Sequence, residues 1–221
     1  PDADPLEQLV VAPHEFFPLF PATVPDQLRA AAGSICINTE QVGTPFFATS
    51  MQYVGQGRAA LDISTHSLGA IRAHGIPAFH LPLGYVRSMD HWRGPLAAAD
   101  QERTIDIGFL AGRTERREAF IGGAAGQLWE WRTDLRFFSW HKPALAAHST
   151  FTAGVAKYRG LANTRILLNV HRSDDPYFEW ARIVEAMANG CAVATETSVG
   201  IEPLVPGEHM VVAHLEDLAE Q

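Results

Sequence analysis

The stretch RILLNVHRSDDPYFEWARIVEAMANGCAVAT, residues 165–195, decides the fold class. Its apolar runs RILLNV (165–170) and CAVAT (191–195) have the length and composition of buried strands. Between them, EWARIVEAMA (179–188) has apolar residues at helical spacing, and Asn189-Gly190 is a typical helix stop. A strand, a helix and a second strand in this order predict a parallel βαβ unit, with Gly190 in a left-handed conformation.

The same alternation extends outward on both sides of this stretch. A strand-like run at 104–111 (TIDIGFLA) is followed by a helical pattern at 114–121, for which Thr114 is the predicted N-cap. Further predicted strands are 135–140, 209–213, 9–12, Ser34–Asn38, 60–63 and 78–81, and further predicted helices are 146–158, Val24–Ala32 and 65–74. This order predicts an α/β fold of two Rossmann-like, doubly wound parallel-sheet units, the first of them incomplete.

The boundary between the two units is predicted from composition. Residues 87–101 hold Gly94, Pro95 and scattered charges, which is typical of a linker, so we predict domains at 1–94 and 95–221. The chain starts at Pro1 without a methionine and stops at Gln221 inside a helical pattern. From these ends we expect a fragment of a longer protein or a processed product, with a truncated second domain.

Composition argues against several classes of protein. The 221 residues carry a formal net charge of −8, which argues against a nucleic-acid partner. No apolar run reaches the roughly 18 residues of a transmembrane helix, and the first residues, PDADPLEQ, are unlike a signal peptide. Cys36 and Cys191 lie in apolar runs, which indicates buried free thiols in a reducing compartment. We therefore expect a cytoplasmic protein without a transmembrane segment.

Polar residues follow the predicted strands of the second unit, where ligands bind in open parallel sheets. Gly112, Arg113, Arg116 and Arg117 follow the first of these strands and lie at a helix N-terminus, a position suited to a diphosphate. The alternative is a solvated basic turn paired with Glu115 and Glu118.

Two further loops at this edge contribute candidate residues. The loop at 171–177 adds His171, and the loop at 198–202 contains Gly200, which permits close approach of backbone to a ligand or forms a plain turn. Asp174 and Asp175 are typical of a helix start before Pro176, so no metal site is expected.

The helical pattern at 179–188 carries Glu179, Arg182 and Glu185 at spacings of three. These side chains either form a surface ladder of ion pairs or, because the helix starts at the ligand edge, offer carboxylates to sugar or ribose hydroxyls. The chain lacks the dinucleotide fingerprint, the P-loop, the HExxH motif and the GxSxG motif, which disfavours the corresponding enzyme classes.

Residues 178–213, FEWARIVEAMANGCAVATETSVGIEPLVPGEHMVVA, resemble the donor-binding signature of group 1 (family 4-like) glycosyltransferases of the GT-B fold. IDIGFLAGR (105–113) is similar to the opening strand of that family's nucleotide-binding domain. LNVHRSDDPYFEWARIVEAMANG (168–190) is most similar to the spore-maturation-type glycosyltransferase-like branch. The positions that fit the signature are Glu185, Ala186, Ala188, Gly190, Gly200, Glu202 and Gly207.

This resemblance implies a metal-independent hexosyltransferase that uses a nucleotide-diphosphate-sugar as donor substrate and needs no further cofactor. It implies that Glu185 binds donor hydroxyls and that Arg113 and Arg117 neutralise the leaving diphosphate, on which negative charge builds up. The donor is expected on the second unit. The acceptor, a carbohydrate, lipid or protein, is expected on the first. His14, just past the first predicted strand, is a candidate to deprotonate the acceptor, or else a surface or capping histidine.

One departure from the family pattern keeps two alternatives open. The group 1 pattern has two glutamates eight positions apart; Glu185 matches the second, and Tyr177 stands at the position of the first. This substitution favours a non-catalytic nucleotide- or sugar-binding module of a larger assembly. A nucleotide-sugar epimerase of the same fold is the other alternative.

Overall fold

The computed structural model of the protein describes residues 8–19, 22–93, 102–139 and 152–221. The chain divides into two compact units, Pro1–Pro82 and Leu83–Gln221. The predicted domain boundary between residues 94 and 95 lies outside the described residues. Residues 83–93, which precede it, belong to the second unit.

The first unit contains a four-stranded parallel sheet in the order β1-β2-β3-β4. The strands are β1 (Gln8–Val11), β2 (Ser34–Asn38), β3 (Ala59–Asp62) and β4 (Ala78–His80), and the helices are α1 (Pro13–Leu19), α2 (Val24–Ala32), α3 (Pro45–Val54) and α4 (Leu68–Ala73). One apolar cluster joins them, with Cys36 and Ala60 of the sheet packed with Val54 of α3 and Ile71 of α4, all with no exposed surface. Burial of these side chains is the main source of this unit's stability.

Helices α1 and α3 are absent from the sequence prediction. The N-cap of α3 is Thr44, whose hydroxyl accepts the Phe47 N–H at 3.1 Å, and Pro45 occupies the first turn. Phe47, Met51 and Val54 are all buried, so this helix has a weak polar face and therefore a weak amphipathic signal.

The second unit contains a five-stranded parallel sheet in the order β6-β5-β7-β8-β9. The strands are β5 (Ile105–Gly112), β6 (Thr133–Phe138), β7 (Thr164–Asn169), β8 (Ala192–Glu196) and β9 (Val211–Ala213), and the helices are α5 (Glu115–Gly123), α6 (Ala125–Leu128), α7 (Gly154–Ala162) and α8 (Trp180–Ala188). The strand order changes direction at β5, so the topological switch point lies between β5 and β7. Parallel crossovers are right-handed, so this reversal places the helices after β5 on one face and α7 and α8 on the other.

Adjacent residues of β7 belong to two different apolar clusters. Leu167 packs with Ile183 of α8, whereas Leu168 packs with Phe109 and Leu218. Since successive side chains of a strand point to opposite faces, the sheet is covered on both sides. The predicted fold class, two parallel-sheet α/β units, is confirmed.

The ends of the helices in this unit follow their sequence signals. The Thr114 hydroxyl accepts the Arg117 N–H at 3.3 Å, which confirms Thr114 as the N-cap of α5. Gly190 follows α8 with φ 71°, the predicted left-handed stop. The predicted helix at 146–158 falls partly outside the described residues, and α7 begins at Gly154. Both cysteines are free and buried, as predicted.

Residues 87–93, predicted as part of a linker, contact the rest of the second unit through hydrogen bonds and a cation–π contact. The Asn189 side chain accepts the His91 N–H at 2.9 Å and donates to the Met89 carbonyl at 2.9 Å. The Arg103 guanidinium lies 3.9 Å from the centre of the Trp92 ring and donates to the Gly190 carbonyl.

Candidate functional site

The carboxyl ends of β5, β7 and β8 meet at one edge of the second unit's sheet, and the topological switch point lies between β5 and β7. Ligands of open parallel sheets bind at this position, because the chain leaves in opposite directions from the two strands and opens a crevice. The predicted site residues in the loops after these strands therefore lie at one edge.

Arg117 occupies the switch point itself. Its side chain is only 2% exposed, and it donates from Nε to the Val170 carbonyl at 2.8 Å and from Nη1 to the Gly112 carbonyl at 3.0 Å. A third bond, from Nη2 to Glu179 Oε1, is 2.8 Å long. Burial lowers the pKa of Arg117 to about 10, so the group remains protonated at neutral pH.

Glu179 joins two of the predicted arginines. Its carboxylate pairs with Arg117 through one oxygen and with Arg182 through the other. Arg182 also donates to Asn169 Oδ1 at 2.7 Å, and Asn169 donates to Thr195 Oγ1 at 2.9 Å. Two guanidinium groups share one carboxylate, which leaves an excess of positive charge beside the switch point.

Arg116, the residue before Arg117, forms a separate network. Nη1 and Nη2 donate to the two carboxylate oxygens of Glu196 at 2.6 Å each, and Nε donates to Asp174 at 2.9 Å. The backbone N–H of His171 also donates to Glu196 Oε1, at 2.6 Å. The hydrogen bonds to Glu196 hold the pKa of Arg116 above its ordinary value.

His171 connects the loop after β7 to the loop after β8. Its Nε2 lies 2.9 Å from Ser198 Oγ, and burial lowers the pKa of the ring, so the imidazole is neutral at pH 7. Gly200, two residues beyond Ser198, has φ 69°, and its carbonyl accepts the Trp180 indole N–H at 2.9 Å. The left-handed backbone at this point favours glycine.

Arg113 is the exposed arginine of the loop after β5. Its side chain is 59% exposed and pairs with Glu118 at 3.1 Å, as in the solvated-turn alternative. An exposed pair of this kind contributes less than about 1 kcal/mol, so Arg113 can turn toward an incoming anion at low cost.

Glu185 makes its contacts with helix α7 rather than with the arginines. Its carboxylate pairs with Lys157, and the Tyr158 hydroxyl lies 3.5 Å from Oε1. Of the predicted ladder of Glu179, Arg182 and Glu185, the structure shows the ion pair between Glu179 and Arg182, while Glu185 pairs with Lys157. The role of Glu185 in donor binding stays a prediction.

His14 lies in the first unit, where Ala12 turns the chain after β1 with a positive φ of 50°. The imidazole is buried, and its Nε2 lies 3.0 Å from Glu40 Oε1. Asn38 connects this pair to a buried carboxylate, because its Nδ2 donates both to the Glu40 carbonyl at 2.9 Å and to Asp62 at 2.8 Å. A histidine paired with a carboxylate has the arrangement of a general base.

Comparison with known proteins assigns the second unit to a family. Residues 108–221 match the family described as glycosyl transferase-like, and these residues include the whole arginine network. The chain belongs to the glycosyl transferase-like family. Its class of chemistry is glycosyl transfer, in which a sugar passes from a donor to an acceptor. No curated protein matches the chain.

Metal-binding clusters and membrane-spanning helices are both absent from the described residues of this glycosyl transferase-like chain. Residues 8–19, 22–93, 102–139 and 152–221 contain no group of three or more potential metal ligands. Within the same ranges, no helix is both long enough and apolar enough to cross a bilayer.

The sequence places Arg116 among the candidate anion-binding residues but does not identify Glu196 as its partner. Arg116 lies between Glu115 and Arg117, so the local sequence does not indicate which carboxylate it contacts, and Glu196 is the last residue of β8, after Ala194 and Thr195. The available signal was Glu196 itself, because a carboxylate at the carboxyl end of a buried strand has to be paired. Tyr177, at the position of the family's first glutamate, is buried and forms a β-bridge with Val199.

Proposed function

We propose that the protein transfers a sugar from a nucleotide-diphosphate-sugar donor that binds at the carboxyl edge of the second unit's sheet. The observation that carries this proposal is the pairing of Arg117 and Arg182 with the single carboxylate of Glu179 at the switch point. Within this group of three side chains, two positive charges face one negative charge. A diphosphate supplies the missing negative charge and takes more of it as the sugar leaves.

The donor-binding roles follow from exposure. Arg182 and the exposed Arg113 contact the diphosphate, while the buried Arg117 orients Glu179 and stabilises the leaving group from beneath. These arginines, with backbone amides of the loop around Gly200, carry the charge stabilisation in place of a metal ion. Glu185, in line with the family resemblance, accepts hydrogen bonds from donor hydroxyls.

On the acceptor side, the proposed base is His14. With Nε2–H donating to Glu40, the lone pair lies on Nδ1, which has no hydrogen-bond partner among the described residues. That atom is buried, so the side chains that cover it have to move aside before it takes the proton of an acceptor hydroxyl as the new glycosidic bond forms.

Calorimetric titration with pyrophosphate, UDP and GDP tests the donor site. Arg113→Gln and Arg182→Gln should each weaken binding by about tenfold, since each removes a charge-assisted hydrogen bond of roughly 1.5 kcal/mol. The matched control is Arg132→Gln, because Arg132 is 51% exposed and pairs with Asp106 at the start of β5, the opposite edge of the sheet. Equal affinities in all variants, or no binding by the folded wild-type protein, would exclude this donor site.

A binding module without catalysis is the second candidate, favoured by Tyr177. This side chain is buried at the position where the family pattern has its first glutamate. Incubation with UDP-sugars and GDP-sugars separates the possibilities. Release of free nucleoside diphosphate indicates transfer or hydrolysis, a change of sugar configuration indicates an epimerase, and an unchanged donor that nevertheless binds indicates a binding module.

A further inference from the structure

The pair formed by Arg116 and Glu196 joins parts of the chain that are 80 residues apart. Arg116 lies in the first turn of α5, and Glu196 is the last residue of β8. The two hydrogen bonds between Arg116 and Glu196 cross the end of β7, because β7 lies between β5 and β8 in the sheet. The Glu196 side chain is 6% exposed and that of Arg116 is 20% exposed, so the pair is partly removed from solvent.

The same pair holds the backbone of the loop after β7. Glu196 accepts the His171 N–H at 2.6 Å, and Arg116 Nη1 lies 3.4 Å from the His171 carbonyl. The preceding carbonyl, that of Val170, accepts from Arg117. Side chains from α5 and β8 therefore hold two consecutive residues, and the His171 ring in turn contacts Ser198.

Every nitrogen of the Arg116 guanidinium already has an acceptor within the protein. Nε donates to Asp174, Nη1 to Glu196 and His171, and Nη2 to Glu196. The Glu196 carboxylate in turn accepts hydrogen bonds from the Arg116 guanidinium and from the His171 N–H. These residues are therefore not placed to contact a phosphate directly without losing bonds that they already make.

We infer that Arg116 and Glu196 are positioning residues for donor binding, which hold the loops after β5, β7 and β8 in one arrangement before the donor arrives. This inference rests on the proposed function. A site whose loops are already ordered does not lose binding free energy to ordering them, so loss of the pair lowers donor affinity although neither residue touches the donor. The pair acts through His171, whose backbone it fixes and whose ring lies against Ser198.

The chain offers a matched control pair in β6. Arg136 donates from Nε and Nη2 to the two carboxylate oxygens of Asp134 at 2.7 Å each, which is also a two-bond ion pair but lies within a single strand. This pair is more exposed, at 49% for Arg136, and both of its residues lie in β6, although Arg136 Nη1 also lies 3.5 Å from Thr152 Oγ1 before α7. Substitutions there remove an equivalent ion pair from the same unit and leave the carboxyl edge intact.

A double-mutant cycle on the full chain tests the inference. Arg116→Gln, Glu196→Gln and the double variant are titrated with whichever of UDP and GDP the wild-type protein binds. Each single substitution should weaken binding by about tenfold. The double variant should bind no more weakly than the single variant of lower affinity, because either substitution alone already breaks the Arg116–Glu196 ion pair. Arg116→Lys, which keeps the charge but not the two-bond fork, should recover part of the loss. Arg136→Gln and Asp134→Asn should bind as the wild type does.

Two outcomes would overturn the inference while leaving the proposed function standing. Unchanged dissociation constants combined with a lowered melting temperature would make the pair merely structural, and additive losses would mean that each residue contacts the donor by itself. If Glu196→Gln does not fold, Arg116→Lys and Arg116→Gln decide the matter. If the folded wild-type protein binds neither nucleotide, the proposed function fails and the inference falls with it.

Discussion

Arg116 and Arg117 are neighbours in one turn of α5, yet their guanidinium groups end on carboxylates of different elements. Arg116 pairs with Glu196 at the end of β8, and Arg117 pairs with Glu179 at the start of α8. The first turn of α5 is thus fastened to two other parts of the sheet's carboxyl edge. Arg113, which precedes the N-cap Thr114, remains the exposed arginine of this loop.

The same substitution should destabilise the protein far more at Arg117 than at Arg113. Arg117→Gln should lower the free energy of unfolding by about 3–5 kcal/mol, because it leaves the Gly112 and Val170 carbonyls and the Glu179 carboxylate without their buried donor. Arg113→Gln should change it by less than about 1 kcal/mol. Denaturant unfolding followed by tryptophan fluorescence measures both, and similar losses in the two variants would contradict the assigned burial.

Glu185→Gln tests the donor-hydroxyl role that the family resemblance gives to this residue. The substitution keeps the shape and removes the charge, so nucleotide-sugar affinity should fall by about tenfold if the carboxylate accepts donor hydroxyls. Lys157→Gln is the control, because it removes the ion partner of Glu185 and keeps the carboxylate. Equal calorimetric dissociation constants for wild type and Glu185→Gln would leave Glu185 with only its contacts to α7.

Gly190→Ala should be more destabilising than Gly207→Ala, although both glycines have a positive φ, 71° and 79°. An added Cβ at Gly190 would lie 2.6 Å from an Arg103 nitrogen and 3.0 Å from the Trp92 ring, whereas nothing lies within 4 Å at Gly207. We expect a cost of about 1 kcal/mol at Gly207 from backbone strain alone and roughly twice that or more at Gly190. Denaturant midpoints at constant m-value check this, and equal shifts would rule out crowding at Gly190.

The first unit should lose stability as the pH rises from about 4 to 6. Burial raises the pKa of Asp62 to about 6 from its ordinary 3.8, so over this range the unfolded chain has released a proton that the folded chain retains. The total loss is on the order of 3 kcal/mol, and it should be absent in Asp62→Asn. All five tryptophans lie beyond residue 82, so hydrogen exchange of β2 and β3 amides is the suitable measurement.

Asp26 supplies a control of opposite sign for that experiment. Hydrogen bonds from Thr23 and Arg29 hold the pKa of this exposed carboxyl below its ordinary value. Its contribution to stability is therefore present above pH 4 and lost as the pH falls through the folded pKa. If Asp26→Asn and Asp62→Asn change the pH dependence in the same direction, the environment assigned to Asp62 is wrong.

Elements with regular apolar patterns could be predicted from the sequence almost to the residue. Strand β2 and helix α2 have the predicted bounds, Ser34–Asn38 and Val24–Ala32, because a short apolar run and an amphipathic segment give clear signals. Helix α3 could not be recognised by periodicity, since it is buried on most sides. Its remaining signal is Thr44-Pro45, a cap followed by a first-turn proline.

The residues of the candidate site and its pairs between near neighbours in sequence, such as Glu179 with Arg182, could be predicted, but its long-range pairs could not. Arg117, Glu179 and Arg182 are recognisable because they follow strands at the ligand edge. That Arg117 is buried and bonded to two carbonyls depends on the packing of β5 against β7, which a local pattern does not encode. The same holds for Arg116 and Glu196, whose partnership exists only once β8 is in place two strands from β5.

The fastening of residues 83–93 to the second unit has a practical consequence for dividing the chain into fragments. A recombinant fragment that starts at residue 95 would lack the Leu83 side chain that packs against the apolar cluster of α8, and the Trp92 ring that covers Arg103. The side chain of Asn189 would lose both of its bonds to that segment. A fragment that starts at Leu83 retains these contacts, so it should express as a soluble, independently folding protein where the shorter fragment aggregates.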